Sequence, residues 1–351
     1  MEINKEKTNL AMVDLVKYIC AILIIIVHCE RIIADPLWHH LLKNVVCRTT
    51  VPFFLVTSGY FLKQKLASNQ SYAKNYLISL AKTYLVWSII YLPFGIEYLY
   101  NNVNISPYLY PIALTLAFFY IGTYYHLWYI SATIMAIMIS LFLLKRMKYR
   151  YVLIISSILY VIGSVETYSA YLSGTVIAKW FLVYQKYLIT PRNGLFYAML
   201  FVVIGYGIYD FKDKLMVIRK KLPLLIVISA TLMFVEGLVI FSNQGIDKNF
   251  LLTLPTFMLV FTTWVLNTNL VTKDLSILRQ YSKYYFFLHP IPIFFVNVFL
   301  TKTESHINIQ DGWIRLIVTL VCTHLGSLLL IKLKEKCANN KNFVGKVVKC
   351  L

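Results

Sequence analysis

A lysine, a histidine and an arginine lie within two strongly apolar segments near the start of the chain. Lys17 and His28 are eleven residues apart, so on a helix they share one face and lie about 16 Å apart along the axis. Arg48 opens the second segment, which reads RTTVPFFLVTSGYF. Histidine can exchange a proton near neutral pH, and the arginine fork can hold a carboxylate, a phosphate or a developing oxyanion. The alternative is a structural pair in which His28 and Arg48 bond to loop carbonyls.

The composition of the chain indicates a membrane protein. Of its 351 residues, 59% are hydrophobic and only 14% are charged. Apolar runs of about 20 residues, long enough to cross a bilayer, recur along the chain. An ionisable side chain inside such a run is costly in hydrocarbon and marks a functional site by default. The six cysteines show no C-x-x-C spacing, and the sequence carries no metal motif and no phosphate-binding loop.

The apolar pattern predicts an all-α, polytopic helical bundle. We expect about ten transmembrane helices, near residues 10–33, 44–63, 76–97, 126–145, 151–166, 194–211, 223–242, 250–268, 284–301 and 313–333. Two shorter aromatic segments, 108–122 and 172–189, are predicted to be re-entrant or interfacial elements that cover a cavity. The first span lacks a small-residue cleavage site, so we expect no cleavable signal peptide.

The basic residues predict the orientation of these spans. With the N-terminus in the cytoplasm, 24 Lys and Arg residues fall on the cytoplasmic side and seven on the outer side. An excess of this kind is typical of cytoplasmic loops. Both termini are therefore predicted to be cytoplasmic, in a multi-pass protein of a bacterial plasma membrane. The net charge of +19 is explained by this placement, and no nucleic-acid partner is expected.

Several other polar residues in or beside the predicted spans are candidates for a site. Arg192, Asn193 and Gly194 open a span after a proline, and a helix N-terminus of this kind favours anions; an interfacial anchor is the alternative. Glu236 lies inside a span and needs a partner, for which His28, Arg48 or Arg192 are the candidates.

Three histidines and one possible ion pair are further candidates. His126 precedes a span and fits either an aromatic belt or a substrate site. His289 is followed by a Pro-x-Pro pattern that breaks the helix and could expose carbonyls to a cavity. His324 is interpreted mostly as an interhelical hydrogen bond. Asp14 and Lys17 could pair at the membrane interface, or Lys17 could meet an anionic ligand.

Taken together, these residues resemble the acyltransferase-3 family of membrane proteins, which acylate extracytoplasmic glycans and similar acceptors. The resemblance covers most of the chain. It rests on the segments 14–28, 48–61, 126–129 (HLWY), 192–196 (RNGLF) and 284–289. More narrowly, the chain resembles the membrane domain of the membrane-bound serine racemases of vancomycin resistance, in which a cytoplasmic racemase follows such a domain.

The resemblance implies an acyl-CoA donor, acetyl-CoA being expected, that enters from the cytoplasm, and a small-molecule or cell-envelope acceptor at the outer face. The resemblance implies that His28 is catalytic. From the chemistry of the residues we predict that Arg48 and Glu236 are also catalytic, Arg48 by stabilising the oxyanion or holding the thioester and Glu236 by assisting. Donor binding is assigned to four basic residues and acceptor binding to four polar residues: Lys17, Lys63, Lys65 and Lys82, and His126, Arg192, Asn193 and His289. The family usually has Arg where this chain has Lys17, and Arg-x-x-Arg where it has Arg48-Thr49-Thr50-Val51. No metal is expected.

The basic tail allows two interpretations of the domain organisation. We predict a transmembrane domain over residues 1–333 and a cytoplasmic tail over 334–351 that contacts lipid headgroups or links to a soluble domain. A fused racemase would suit the second case. The membrane domain would then either transfer acyl groups or deliver L-serine to that racemase, with Arg48 binding the amino-acid carboxylate and His28 a proton.

Overall fold

The computed structural model describes residues 10–103, 105–302 and 309–337, and every regular element in these ranges is helical. The last residues of the predicted tail lie outside them. Fifteen α-helices are defined in this part of the chain: α1 Leu10–His28, α2 Pro36–Leu41, α3 Thr50–Ser68, α4 Tyr72–Asn102, α5 Tyr110–Tyr120, α6 Trp128–Leu144, α7 Tyr149–Tyr168, α8 Val176–Leu188, α9 Met199–Asp210, α10 Lys212–Val217, α11 Leu222–Ser242, α12 Leu254–Asn267, α13 Ser276–Leu288, α14 Pro290–Lys302 and α15 Ile309–Cys337.

The helices confirm the all-α, polytopic prediction. Within the described ranges, six segments are long and apolar enough to cross a membrane: Ala11–His28, Pro36–Ser68, Tyr72–Asn102, Tyr149–Tyr168, Arg219–Ser242 and Gln310–Lys336. The pair α13 and α14, bent by 41°, could form a seventh span. The remaining three predicted spans contain the shorter apolar helices Trp128–Leu144, Gly194–Asp210 and Leu254–Asn267. The two segments predicted as re-entrant or interfacial contain α5 and α8, neither of which reaches the length of a span.

The chain divides into two compact units. The first contains the chain up to Phe54, Asp210–Ser242 and Thr253–Ile331. At its centre α1 packs along α13, and α1 also contacts α12 and the turn Cys47–Thr49. Buried apolar side chains of α1, α13 and α15 form one cluster around Ile25, Cys29, Tyr285 and Leu316. This unit therefore carries both His28, at the end of α1, and Arg48, on a turn that contacts α1.

The second unit contains Leu55–Tyr209, Asn243–Leu252 and the chain from Lys332. Its helices α3 and α9 approach with their backbones almost in contact, because glycine occupies the contact on both sides. A Cβ atom at Gly59 would lie 2.3 Å from the Val202 carbonyl oxygen, and one at Gly205 would lie 2.1 Å from that of Val56. Only glycine allows so close an approach of two helices.

Two π-helical turns occur in the described ranges, and each adjoins a candidate site. One, Leu42–Val46, joins α2 to the turn that carries Arg48. The other, Gly194–Ala198, precedes α9 directly after Arg192 and Asn193. Single π turns are found frequently at functional sites, because they redirect side chains within an otherwise regular helix. Arg48 and Arg192 are thus each positioned next to an irregular π turn rather than within a regular helix.

Candidate functional site

The centre of the candidate site in the first unit is a pair of stacked imidazoles. His28 ends α1 and His289 follows the last residue of α13, and their ring centroids lie 5.3 Å apart with an interplanar angle of 20°. The break predicted from the Pro-x-Pro pattern is confirmed, since α13 stops at Leu288 and α14 starts at Pro290. The break leaves His289 fully buried at the bend, directly beside His28.

The contact that His289 makes with the backbone defines its tautomer. Its Nδ1 lies 2.9 Å from the carbonyl oxygen of Tyr285 one turn earlier. A carbonyl can only accept, so Nδ1 carries the proton and Nε2 of the neutral ring is an acceptor. Two stacked imidazoles take up one proton far more readily than two, because like charges repel at this distance. The pair can therefore accept and return a single proton.

Arg48 is held by a chain of three hydrogen bonds. Its Nη2 donates to Oδ1 of Asn44 at 3.2 Å, and Nδ2 of Asn44 lies 3.1 Å from Nδ1 of His40. The other ring nitrogen of His40 lies 3.1 Å from the Gly237 carbonyl oxygen on α11. Each of these three contacts joins a donor to an acceptor if Nε2 of His40 carries the proton. The guanidinium is thus fixed in orientation through a buried histidine and an amide.

The opposite end of α1 carries an ion pair that differs from the one considered in the sequence analysis. Both carboxylate oxygens of Asp14 accept hydrogen bonds of 2.8 Å from Arg279 of α13, where the sequence spacing had suggested Lys17 as the partner. The Asp14 side chain is 4% exposed and that of Arg279 is 52% exposed. A forked arginine satisfies both oxygens of a buried carboxylate, which an ammonium group cannot do. Lys17 lies one turn further along α1 on the same helix as His28.

Between these two ends, tyrosine hydroxyls and an imidazole link three helices. The Tyr285 hydroxyl lies 2.9 Å from Nδ1 of His324 on α15 and 3.4 Å from the Tyr18 hydroxyl on α1. This confirms His324 as an interhelical hydrogen-bonding residue. The α1–α13 interface therefore carries polar groups at several levels along its length, in the order Asp14–Arg279, Tyr18–Tyr285–His324 and His28–His289. We call this set the polar seam.

Glu236, the third residue predicted to be catalytic, has a defined contact with the start of α12. Its Oε2 accepts a hydrogen bond of 2.9 Å from the Thr253 backbone N–H and a second bond from the Thr253 hydroxyl. Thr253 is the residue that caps α12. A carboxylate at a helix N-terminus satisfies a backbone donor that has no intrahelical partner. Glu236 therefore anchors α12 to α11, and its catalytic role remains a prediction.

In the second unit, the predicted helix start at Arg192–Gly194 is confirmed. Asn193 is the capping residue, since its Oδ1 accepts from the backbone N–H groups of Leu195 at 2.9 Å and Phe196 at 3.1 Å. The Asn193 amide also donates to the Tyr120 hydroxyl at 2.9 Å. The guanidinium of Arg192 lies over the Trp128 ring, 4.9 Å from its centroid. Asn193 thus has a clear structural function, and anion binding by Arg192 remains a prediction.

A buried carboxylate supports the same turn. Glu166 of α7 is 2% exposed and accepts a hydrogen bond of 2.9 Å from the Thr190 hydroxyl, while the Thr190 hydroxyl oxygen accepts one of 3.1 Å from the Arg192 backbone N–H. The Thr190 carbonyl oxygen also accepts from the Tyr120 hydroxyl at 3.0 Å and the Tyr184 hydroxyl at 3.3 Å. Burial raises the pKa of Tyr184, so this hydroxyl stays protonated and able to donate. The network fixes the backbone on which Arg192 is carried.

The other predicted site residues of this unit occupy different settings. His126 is 2% exposed in the turn before α6, with its ring edge-on to Tyr91 at 4.6 Å, an arrangement that fits the aromatic interpretation. Lys63 and Lys65 lie in the last turns of α3, and Lys82 lies in α4. The side chains of Lys65 and Lys82 are exposed. Their assignment to donor binding remains a prediction.

Four functional or supporting residues were missed by the sequence reasoning: His40, Asn44, Glu166 and Arg279. His40 and Asn44 could have been found, because they precede Arg48 at intervals of four residues and so share its helix face. Glu166 ends a predicted span, and the rule that singled out Glu236 applies equally to it. Arg279 carried no such signal, since its partner Asp14 lies 265 residues away.

Comparison with known proteins relates these residues to a family. A family model of the acyltransferase-3 type, described as an acyltransferase domain, matches residues 10–332. Two proteins of Enterococcus faecalis, each named amino-acid racemase, are 30% identical over 71% of this chain and 27% identical over 94% of it. A serine/alanine racemase of Enterococcus gallinarum is 25% identical over 58%.

These matches leave much of the relatives unaccounted for. The aligned regions cover 35%, 47% and 29% of their respective lengths, so the chain spans at most about half of the curated relatives it matches. No solved structure matches the chain significantly. The family model, in contrast, extends over nearly all of the described helices and includes His28, Arg48 and His289. The chain therefore belongs to the acyltransferase-3 family of membrane proteins.

Proposed function

We propose that this protein transfers an acyl group, an acetyl group in the simplest case, from acyl-CoA to a hydroxyl or amine acceptor. The observation that carries the proposal is the stacked His28–His289 pair beside the end of a membrane-spanning helix. A base that can hold one proton in an apolar setting is what acyl transfer to an unactivated hydroxyl requires. The membership in an acyltransferase family supports this reaction over other uses of a histidine pair.

In the proposed reaction, each site residue of the first unit has one role. His28 takes the proton from the acceptor, whose oxygen or nitrogen attacks the thioester carbonyl carbon. The carbon–sulfur bond then breaks, and His28 returns the proton to the leaving thiolate, so that free CoA and the acylated acceptor are formed. Arg48 stabilises the negative charge on the carbonyl oxygen, and the His40–Asn44 chain fixes its direction. His289 orients and buffers the His28 ring.

The ends of α1 would serve the two substrates. Lys17, with Lys63, Lys65 and Lys82 as further donor-binding candidates, would attract the anionic portion of acyl-CoA from the cytoplasmic side. His28 would face the acceptor at the outer side of a bacterial plasma membrane, with both termini in the cytoplasm. In the second unit, Arg192, Asn193 and His126 stay candidates for acceptor binding. The acyl group would thus cross the membrane along α1 while its donor stays on one side.

The test uses the full chain reconstituted in lipid nanodiscs. Release of free CoA from acetyl-CoA is measured with a cell-envelope extract as the source of acceptor. We expect His28→Ala to reduce the release of CoA to background without changing the thermal unfolding temperature by more than a few degrees. His39→Ala is the matched control, because His39 lies on α2 outside the stacked pair, and it should retain activity. Full acceptor-dependent release in His28→Ala would remove this histidine from the mechanism.

A second function is favoured by the names of the relatives. Proteins named as racemases match this chain over less than half of their length, which suits a membrane domain that delivers L-serine to a racemase domain. Arg48 would then bind the carboxylate, and His28 would carry a proton. The two functions can be distinguished by measuring the binding of acetyl-CoA and of L-serine to the protein in the same nanodiscs. Acetyl-CoA binding that weakens in Lys17→Ala supports acyl transfer, whereas saturable L-serine binding without acetyl-CoA binding supports delivery.

A further inference from the structure

Arg315 is a buried cation that the proposed mechanism does not use. It lies in the second turn of α15 and is 5% exposed. Its Nε donates to the Asn297 side-chain oxygen at 2.8 Å, and its Nη1 is enclosed without a hydrogen-bond acceptor in the described part of the chain. Asp311, a buried carboxylate, lies four residues earlier on α15. Among the described residues, the side-chain oxygen of Asn297 is the hydrogen-bond acceptor that holds this guanidinium.

A buried charge of this kind is unusual because it is unfavourable for the folded protein. Removing an ion from water costs several kcal/mol, and a single neutral hydrogen bond recovers only part of that cost. Charged residues within membrane spans are accordingly paired or serve a ligand. The Nη1 atom therefore needs an acceptor that the described residues do not supply.

The surrounding helices place Arg315 near the His28 end of α1. A Cβ atom at Gly312, three residues before it, would lie 2.1 Å from the Arg31 carbonyl oxygen, so α15 packs directly against the segment that follows His28. Leu316, the next residue, belongs to the same buried cluster as Cys29. These two contacts fix the second turn of α15 beside the residues just after the catalytic histidine.

A second cation lies in the same place. Lys43 donates through Nζ to the Cys29 carbonyl oxygen at 2.5 Å, so its ammonium group lies at the end of α1. The positive charges of Lys43 and Arg315 and the negative charge of Glu30 all act on Cys29, the residue after His28. Two basic side chains therefore act on one small region next to His28.

We propose that Arg315, assisted by Lys43, binds an oxyanion, a carboxylate or a phosphate, carried by the acceptor. The inference deepens the proposed function and rests on it, since it assigns the acceptor to a chemical class. The acceptor has an ionised group close to the hydroxyl or amine that is acylated. The forked guanidinium suits a planar or tetrahedral oxyanion, and its orphaned Nη1 supplies the missing donor. The same group could be presented by a soluble molecule or by the headgroup of an anionic lipid.

The first experiment measures binding independently of catalysis. The full chain is placed in phosphatidylcholine nanodiscs, and its thermal unfolding is followed in inorganic phosphate and in chloride at equal ionic strength. We expect phosphate to raise the unfolding temperature of the wild type by several degrees and to leave Arg315→Met unchanged. Arg146→Met is the matched control, because Arg146 is an exposed arginine at the end of α6, and it should respond as the wild type does. An equal phosphate shift in Arg315→Met would overturn the proposal.

A change of lipid distinguishes the two possible sources of the oxyanion, a lipid headgroup and a soluble acceptor. In nanodiscs that contain phosphatidylglycerol, a headgroup site would already be filled, so the phosphate shift would disappear and the starting unfolding temperature would be higher than in phosphatidylcholine. A soluble acceptor would leave the phosphate shift intact. Both results retain an oxyanion site at Arg315 and identify its natural occupant. An absence of any phosphate shift in the wild type, in both lipids and with no dependence of stability on phosphatidylglycerol, would refute the site.

The stability of the unliganded protein gives an independent check. If Arg315 serves a ligand, replacing it with Met in chloride buffer should leave the unfolding temperature unchanged or raise it, because the cost of burying a charged guanidinium is removed. A fall of several degrees would show a structural arginine and would overturn the proposal. Arg315→Lys keeps the charge without the fork and should weaken the phosphate shift.

Failure of this inference can be told apart from failure of the proposed function. His28→Ala should keep the full phosphate shift while it loses acyl transfer. Arg315→Met should lose the phosphate shift and raise the acceptor concentration needed for half-maximal CoA release at least tenfold, with acetyl-CoA binding unchanged. If the protein has no acyltransferase activity at all, the phosphate shift still tests the oxyanion site. If activity is present and Arg315→Met leaves its acceptor dependence unchanged, the assignment of the acceptor class is wrong.

Discussion

The hydrogen-bond chain behind Arg48 can be tested by removing its middle member, Asn44. The amide of Asn44 contacts Nδ1 of His40 at 3.1 Å and Nη2 of Arg48 at 3.2 Å. Truncation to alanine removes a neutral hydrogen bond, worth about 1 kcal/mol, and one to a charged group, worth about 1.5–3 kcal/mol. His40 is 4% exposed, so its Nδ1 atom is left without a donor in a buried setting. We expect Asn44→Ala to lower the free energy of unfolding by about 2–4 kcal/mol.

The same substitution should impair acyl transfer by releasing Arg48. Loss of a single oxyanion donor typically lowers kcat by about 10²–10³-fold, and a misdirected donor retains part of its effect. We therefore expect kcat to fall by about 10–100-fold, a barrier increase of about 1.4–2.7 kcal/mol. Release of CoA from acetyl-CoA in nanodiscs measures this change. The acetyl-CoA concentration for half-maximal rate should change little, because the role proposed for Arg48 is on the reacting carbonyl and not in binding CoA.

A double-mutant cycle separates the chain from a general loss of packing. His40→Phe keeps a ring of similar size and leaves no unsatisfied acceptor opposite Asn44→Ala. The loss of unfolding free energy in the double variant should therefore be smaller than the sum of the losses in the two single variants by about 0.5–3 kcal/mol. Unfolding measured in mixed micelles of increasing SDS content provides the free energy of unfolding of the wild type and of the three variants. Additivity within about 0.5 kcal/mol, or unchanged kcat in Asn44→Ala, would refute the chain as the support of Arg48.

Three other substitutions test separate parts of the structure. Arg48→Lys should lower CoA release at least tenfold, because an ammonium group cannot keep the Asn44 bond and a forked contact at once, and full activity would make Arg48 a mere positive anchor. Arg279→Met should cost about 2–4 kcal/mol in SDS unfolding, since it strands the buried Asp14 carboxylate, and a cost below about 0.5 kcal/mol would show that this ion pair is not needed. Gly205→Ala should destabilise by about 1–3 kcal/mol because a methyl group there meets backbone; a neutral effect in the same assay would contradict the close approach of α3 and α9.

Much of the fold could be predicted because each signal for it is local. The apolar runs mark the spans, and the proline pair after His289 marks the bend of 41° between α13 and α14. The sequence Arg192-Asn193-Gly194 marks a helix start, which Asn193 caps through two backbone N–H groups. These features depend on residues within a few positions of one another. Boundaries were less accurate, as in the span predicted over 250–268, whose helix begins at Leu254.

The partners of the site residues could be predicted far less well. Asp14 binds Arg279, 265 positions away, and this contact depends on how α13 packs along α1. His28 meets His289 through the same packing, 261 positions away in the chain. Spacing along one helix shows which side chains share a face, but it does not identify the helix that this face contacts. The role of each residue therefore followed from its chemistry and the family resemblance, and its partner from the structure.

The polar seam sets a geometric condition on any donor that uses both ends of α1. Asp14 and His28 lie on one uninterrupted helix that contains neither proline nor glycine, and α13 is fastened to it at both ends, by Arg279 and by His289. The axial separation of Lys17 and His28 thus stays at about 16 Å whatever the loops do. An acyl donor whose charged part binds near Lys17 must carry its thioester over that distance in a narrow, extended form. Because α1 cannot shorten, a donor of this kind would be selected by its length: it must be long enough to span the distance between Lys17 and His28.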